Sequence, residues 1–297
     1  EKEIAGMSSK VIPGEIVFKL HDTFGFPFDL TADIAREQEL ELDETGFNKC
    51  MEEQVKNSKS GSKFKGNQLD LSAIDETQFL GYDRLNAEGK VLGLWNDDLQ
   101  VDSATPGKEY ILALDQSPFY AESGGQVGDQ GEFSGSNGSG QVVDCIKQGK
   151  IFLHKINLEE GSIKLNDTLK LSVAPMMRSD AASNHSTTHL MHAALKHVLG
   201  NHVEQKGSLV DSSKLRFDFS HPKAVTKDEL KQIELLVNQQ TLSNAEVKTE
   251  LMQLDDAIAS GAEAMFGEKY DDEVRVLSMG DGFSVELCGG THVSRTG

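Results

Sequence analysis

The sequence predicts a multidomain α+β protein in three parts: a helical N-terminal segment, a small β-barrel or sandwich, and a C-terminal domain mixing helices and strands. Three observations predict it. Helical punctuation fills the first 54 residues, short apolar runs cut by Gly, Asn and Asp fill residues 77–172, and the last third pairs an apolar helical stripe with short strands. At 297 residues the chain has room for two or three domains.

From Glu15 to about Gln54 the helical signals are Asp29-Leu-Thr-Ala-Asp33, Asp43-Glu-Thr-Gly46 and the charged run Met51-Glu-Glu-Gln-Val55. Phe24-Gly-Phe-Pro-Phe28 reads as packing. Residues 56–66, KNSKSGSKFKG, have linker composition and mark a boundary. Strands are expected at Val91–Leu94, Tyr110–Leu114, Gln141–Asp144, Ile151–Leu153 and Leu169–Val173. A helix is expected over Asn184–Leu199, where Met191, Ala194, Leu195 and Val198 form one apolar stripe and Gly200 supplies a stop. A second fits Lys227–Leu242, and strands fit Val274–Leu277 and Phe283–Leu287. The expected divisions are 1–65, 66–175 and 176–297.

Composition narrows the class. The chain carries 48 acidic against 29 basic residues, a net charge of −19, and its three parts carry −4, −9 and −6. A surface built wholly for nucleic acid is basic, so charge alone argues against that partner. No apolar run is long enough for a membrane span, the N-terminus lacks signal-peptide features, and Cys50, Cys145 and Cys288 are too few for a disulfide framework. A cytoplasmic protein is expected.

Five of nine histidines fall between residues 185 and 202. His185 and His189, four apart on the expected helix, project from one face about 5–6 Å apart at Cβ and can share a metal ion; His192 lies on this face too. The second pair is Cys288-Gly-Gly-Thr-His292. Alternation along Phe283–Leu287 sends Cys288 out on the face opposite the apolar side chains, and Gly289-Gly290 permit a tight turn that returns His292 beside it. Three imidazoles and one thiolate suit Zn²⁺. Ser186 stands where a His-Glu-x-x-His metalloprotease needs its glutamate, so that route to peptide hydrolysis is disfavoured. The Glu122-Ser-Gly-Gly-Gln126 loop reads as a turn, with no Lys-Ser/Thr after it to make a phosphate loop.

These residues resemble one family. Asn184-His-Ser-Thr-Thr-His-Leu-Met-His-Ala-Ala-Leu195, His202-Val-Glu-Gln-Lys-Gly-Ser-Leu209, Leu215-Arg-Phe-Asp-Phe-Ser-His221, Met265-Phe-Gly-Glu-Lys-Tyr270 and Cys288-Gly-Gly-Thr-His292 are similar to the editing domain of alanyl-tRNA synthetase. Phe18–Thr31 resembles the segment closing that family's helical tRNA-recognition region. Ser117–Asp129 resembles the barrel before its editing core. The resemblance spans about residues 14–297 and implies an internal fragment: the end of the tRNA-recognition region, a barrel of translation-factor type, and a zinc-dependent editing domain truncated at its C-terminus, like that of threonyl- and alanyl-tRNA synthetases.

It further implies hydrolysis of tRNA(Ala) mischarged with Ser or Gly, because a pocket sized for alanine cannot exclude glycine and rejects an added hydroxyl only about 10²-fold. His185, His189, Cys288 and His292 would hold one Zn²⁺, and Thr188 and Gln205 match positions implicated in substrate recognition or water positioning. ATP and Mg²⁺ would belong to an aminoacylation domain outside these residues, leaving no ligase activity here. The acidity implies weak, salt-sensitive tRNA binding. Two alternatives stand beside this: a zinc-stabilised tRNA-binding module without hydrolysis, or a free-standing alanyl-tRNA editing protein.

Overall fold

A computed structural model describes residues 10–24, 26, 28–38, 40–51, 69–264 and 270–297. The expected linker at 56–66 and residues 265–269 of the Met265–Tyr270 block lie outside the described residues. The chain divides into two compact units, Glu1–Leu69 and Asp70–Gly297.

In the first unit, α1 (Gly14–Phe24), α2 (Phe28–Glu37) and helical residues 44–51 (α3) enclose a small core of Ile12, Val17, Ala35 and Phe47. Asp43 begins α3 as its N-cap: its carboxylate accepts the Gly46 N–H at 2.8 Å, relieving one of the unpaired donors of the first turn. Phe28 lies 4.8 Å from Phe47, ring centre to ring centre, in keeping with the packing role read for its motif.

The second unit begins with a closed six-stranded antiparallel barrel. Its strands are β1 (Asn86–Asn96), β2 (Glu109–Leu114), β3 (Gly131–Ser134), β4 (Gly138–Gln148), β5 (Ile151–Gly161) and β6 (Thr168–Val173). They pair in the order β6-β3-β4-β5-β2-β1, and β6 closes on β1. All five expected runs lie in these strands. The short β3, with two glycines close by and few apolar residues, escapes pattern reading. Alternating side chains, among them Val91, Leu94, Leu112, Leu114, Phe133, Ile156, Leu169 and Leu171, fill the interior.

His154 is a neutral group sealed in this barrel. Its Nδ1–H faces the Leu112 carbonyl at 3.3 Å, Ser117 Oγ lies 2.6 Å from Nε2, and burial pushes the imidazole down to about 4. Unfolded histidine titrates near 6.5, so below that pH the unfolded chain binds a proton that the folded chain refuses. Stability is therefore full above pH 6.5 and falls by about 3 kcal/mol as pH drops to about 4. Urea midpoints across this range are expected to show that loss in the wild type and a shallower one in His154→Gln.

After the barrel, α4 (Pro175–Leu199) is the spine of the mixed region, followed by the hairpin β7 (Gln205–Val210) and β8 (Leu215–Phe219), then α5 (Lys227–Leu242). A three-stranded antiparallel sheet follows: β9 (Lys248–Gln253), β10 (Glu273–Met279) and β11 (Ser284–Leu287), with α6 (Leu254–Ala259) between the first two. The bounds of α5 match expectation, and Thr226 and Glu229 close a capping box at its start. Met191, Ala194, Leu195 and Val198 join Val203 and Ile233 in one apolar cluster, and Gly200 ends α4 at φ 115°.

By contrast, α4 starts nine residues before the expected Asn184. Its first turns bury Arg178 and its middle buries His185, Ser186 and His189, so apolar periodicity fails where the helix faces other elements. Arg178 accounts for the extension. Its Nε donates to both Asp129 carboxylate oxygens at 3.0 and 2.9 Å, and its other nitrogens reach the Gly81 and Pro118 carbonyls at 2.6 and 2.8 Å. With both partners at 6–8 % side-chain exposure or so, Arg178→Ala strands the Asp129 charge. The variant is expected to lose about 3–5 kcal/mol in denaturant unfolding.

Among the described residues no helix is long and apolar enough to cross a membrane.

Candidate metal centre

Helix α4 places His185 and His189 one turn apart, and the loop after β11 brings Cys288 and His292 against them. One ligand atom from each lies within 4.8 Å of all the others. Cys288 Sγ is 3.5 Å from His185 Nε2 and 3.3 Å from His292 Nε2.

Each imidazole is held from behind through Nδ1. His185 donates to Gln126 Oε1 at 2.8 Å, His189 to Glu286 Oε2 at 2.7 Å, and His292 to Ser186 Oγ at 3.2 Å. The carriers are themselves fixed. Gln126 Oε1 also accepts the Thr291 N–H at 3.0 Å while its amide donates to Thr291 Oγ1 at 2.8 Å. Ser186 donates to Ala182 O at 2.8 Å, which leaves its oxygen to accept from His292. Nδ1 protonation leaves all three Nε2 lone pairs aimed at one point, the tautomer a metal needs.

His189 Nε2 supplies the test of fit. It is buried and lacks a hydrogen-bond partner, a costly state for an imidazole nitrogen that a bound cation removes. Burial alone raises the Cys288 thiol, but His292, His185 and His189 overcome it and hold the thiol well below its usual range. Burial pushes His292 down to about 3 despite the thiolate beside it. His189 is opposed by burial yet raised to about 10 by Glu286 and the Cys288 thiolate. A thiolate, two imidazoles and a third, His189, whose proton a metal displaces form a donor set that fits one divalent ion.

Glu286 escapes the spacing argument, yet a signal for it was present: it lies two residues before Cys288 on one strand and so shares its face. It is 7 % exposed, and its second oxygen accepts from His192 Nδ1 at 3.1 Å. His192 thus shares the face of the helical pair but sits outside the four-atom cluster. Because outer carriers typically set 10–100-fold in metal affinity, Glu286→Ala is expected to raise the metal dissociation constant by about that factor in competition with a chelating dye.

The glycine loop does more than turn. Its turn geometry holds, with Ser123 and Gln126 exchanging backbone hydrogen bonds at 3.1 and 3.0 Å. It is also pinned to β7 by Val210 N–H to Gly125 O at 2.7 Å, which seats fully buried Gln126 behind His185. Local spacing carries no hint of this pairing, which joins the barrel to the metal cluster. Arg275 braces the opposite side, donating to the Cys288 and Gly290 carbonyls at 3.1 and 2.9 Å.

Thr188 and Gln205 stand outside the cluster. Thr188, buried on α4, donates its hydroxyl to Asn184 O at 2.9 Å; Gln205 is the half-buried first residue of β7.

The family model described as tRNA synthetases class II (A) matches residues 1–176. The chain belongs to that family. This match covers the helical unit and the barrel, so the class II family model reaches into residues 1–176 instead of lying wholly outside these residues. A second model, the threonyl and alanyl tRNA synthetase second additional domain, matches residues 274–297, which include Cys288 and His292. The chain is also 50 % identical to an alanine–tRNA ligase of Pseudomonas entomophila (strain L48), over all of its own length and 34 % of that relative's. This class II synthetase chain therefore spans about a third of the curated relative it matches, and that third carries the His/Cys cluster.

Proposed function

We propose that the chain is the editing portion of an alanyl-tRNA synthetase, hydrolysing seryl and glycyl esters of tRNA(Ala) at a zinc centre formed by His185, His189, Cys288 and His292. The convergence of four donor atoms, each imidazole oriented through Nδ1, carries this reading. The second-additional-domain match and the alanine–tRNA ligase likeness support the substrate class. In this reading residues 1–65 close the tRNA-recognition region, 66–175 form the barrel, and 176–297 carry the editing chemistry.

A bound Zn²⁺ supplies a Lewis acid beside the ester. The chain's own groups do the rest. Thr188 donates its proton to Asn184 O, so its oxygen keeps lone pairs that accept from a seryl hydroxyl, a contact the alanyl methyl cannot make. Gln205 orients the attacking water. Attack on the ester carbonyl breaks its bond to the ribose oxygen, releasing the amino acid and a tRNA with a free hydroxyl.

The test is deacylation of Ser-tRNA, Gly-tRNA and Ala-tRNA made on the alanine acceptor, using zinc-loaded protein. Serine and glycine are expected to be released much faster than alanine. Stoichiometric zinc with no release from any of the three would instead identify a zinc-stabilised tRNA-binding module.

A further inference from the structure

Helix α4 carries His185, His189 and His192 along one side, but only the first two belong to the four-atom cluster. His192 is 7 % exposed, and its two ring nitrogens have unequal surroundings. Nδ1 lies 3.1 Å from Glu286 Oε1, whereas Nε2 is buried without a hydrogen-bond partner. The Glu263 carboxylate is 3.9 Å from Nε2, beyond hydrogen-bond reach, and is itself tied to the Lys196 ammonium at 2.5 Å. Packing alone does not call for a histidine here. The ring lies 5.1 Å from that of Phe217, a contact that an apolar side chain would make without stranding a buried nitrogen. The value of the residue therefore lies in Nδ1.

Nδ1 acts on Glu286. This buried carboxylate serves a different ring from each oxygen: Oε2 accepts from His189 Nδ1 at 2.7 Å and Oε1 from His192 Nδ1, with the Ser284 hydroxyl also on Oε1 at 3.3 Å. A carboxylate held by one oxygen turns easily, because its terminal torsion is broad. Held at both, its plane is fixed, and with it the direction in which His189 presents Nε2 to the cluster. His189 and His192 are i,i+3 neighbours on α4, which lets both reach one residue of β11.

We propose that His192 is a positioning residue of the metal centre, orienting His189 through Glu286 without touching the ion. This inference rests on the metal centre of the reading above. It gives the third histidine of the helix a task other than ligation.

The test uses the purified chain without substrate. Zinc affinity is read by chelator competition, the cobalt-loaded protein by its visible d–d bands, and the metal-free protein by long-range proton–nitrogen NMR of its histidine rings. Wild type is expected to carry a His192 proton on Nδ1 and to protect the His189 Nδ1–H from exchange. His192→Phe keeps the ring and loses the donor. It should bind zinc about tenfold more weakly, the low end for an outer partner, while shifting the cobalt bands and exposing the His189 proton. His192→Asn, whose Nδ2 stands where Nδ1 stood, should restore most of all three, whereas a packing role would rank the two variants the other way round. The proposal is overturned if His192→Phe matches wild type, if His192→Asn is as impaired as His192→Phe, or, in wild type alone, if the His192 proton sits only on Nε2. The wild-type spectrum decides even where a melt shows His192→Phe unfolded. Wild type with both protons in place but no cobalt uptake keeps the orienting role and loses the metal reading; cobalt bound with unaltered bands in His192→Phe does the reverse.

Discussion

Cys288→Ala is expected to abolish stoichiometric zinc binding and, with it, deacylation of Ser-tRNA(Ala). The thiolate is the one anionic donor of the cluster and the partner that His185 Nε2 and His292 Nε2 both face, at 3.5 and 3.3 Å. Removing an outer carrier of a metal site costs about 10–100-fold in affinity, so removing a ligand should exceed about 100-fold. The fold should persist, because Cys288 lies at the end of β11, and the barrel and the α4–α5 cluster do not depend on it. Metal analysis after dialysis, paired with a thermal melt, separates the two effects. Full zinc occupancy in the folded variant would remove Cys288 from the ligand set.

Gly290→Ala is expected to disrupt the centre almost as completely, whereas Gly289→Ala should leave it intact. A Cβ on Gly290 would lie 2.2 Å from His185 Cε1 and 2.4 Å from its Nδ1, so either the loop or the ligand must move. On Gly289 the nearest atom is the Tyr82 hydroxyl at 3.9 Å, ordinary contact distance. Neither glycine has positive φ, so the requirement at Gly290 is space rather than backbone freedom. Overpacking of this kind costs about 1–3 kcal/mol where the neighbours can shift. Here the neighbour is the candidate ligand His185, fixed by Gln126, so the loss should appear in metal affinity, measured by chelator competition on both variants. Equal affinity in the two would contradict this account of the loop.

Much of this centre was legible because helix and strand periods are short-range rules. Four-residue spacing puts His185 and His189 on one face, and alternation along Phe283–Leu287 separates Cys288 from the apolar side chains. The sequence could not show which side chains stand behind the ligands. Gln126 and His185 are 59 residues apart and meet only because the glycine loop pairs with β7. Hydrophobic periodicity failed at Pro175–Ser183 for a related reason: there α4 buries Arg178, and burying a charge leaves no apolar signal. At the two-glycine turn Gly290 also supplies room beside the His185 imidazole, a requirement that no spacing rule expresses.

Charge was legible but misleading as a sum. A net −19 argues against RNA only if binding needs a broad basic face.

Zinc-edge X-ray absorption on protein loaded with one equivalent of metal tests the central claim most directly. The arrangement of His185, His189, Cys288 and His292 predicts one sulfur at about 2.3 Å and three nitrogens at about 2.0–2.1 Å. A first shell without sulfur, or one of five or six oxygen and nitrogen donors, would contradict it.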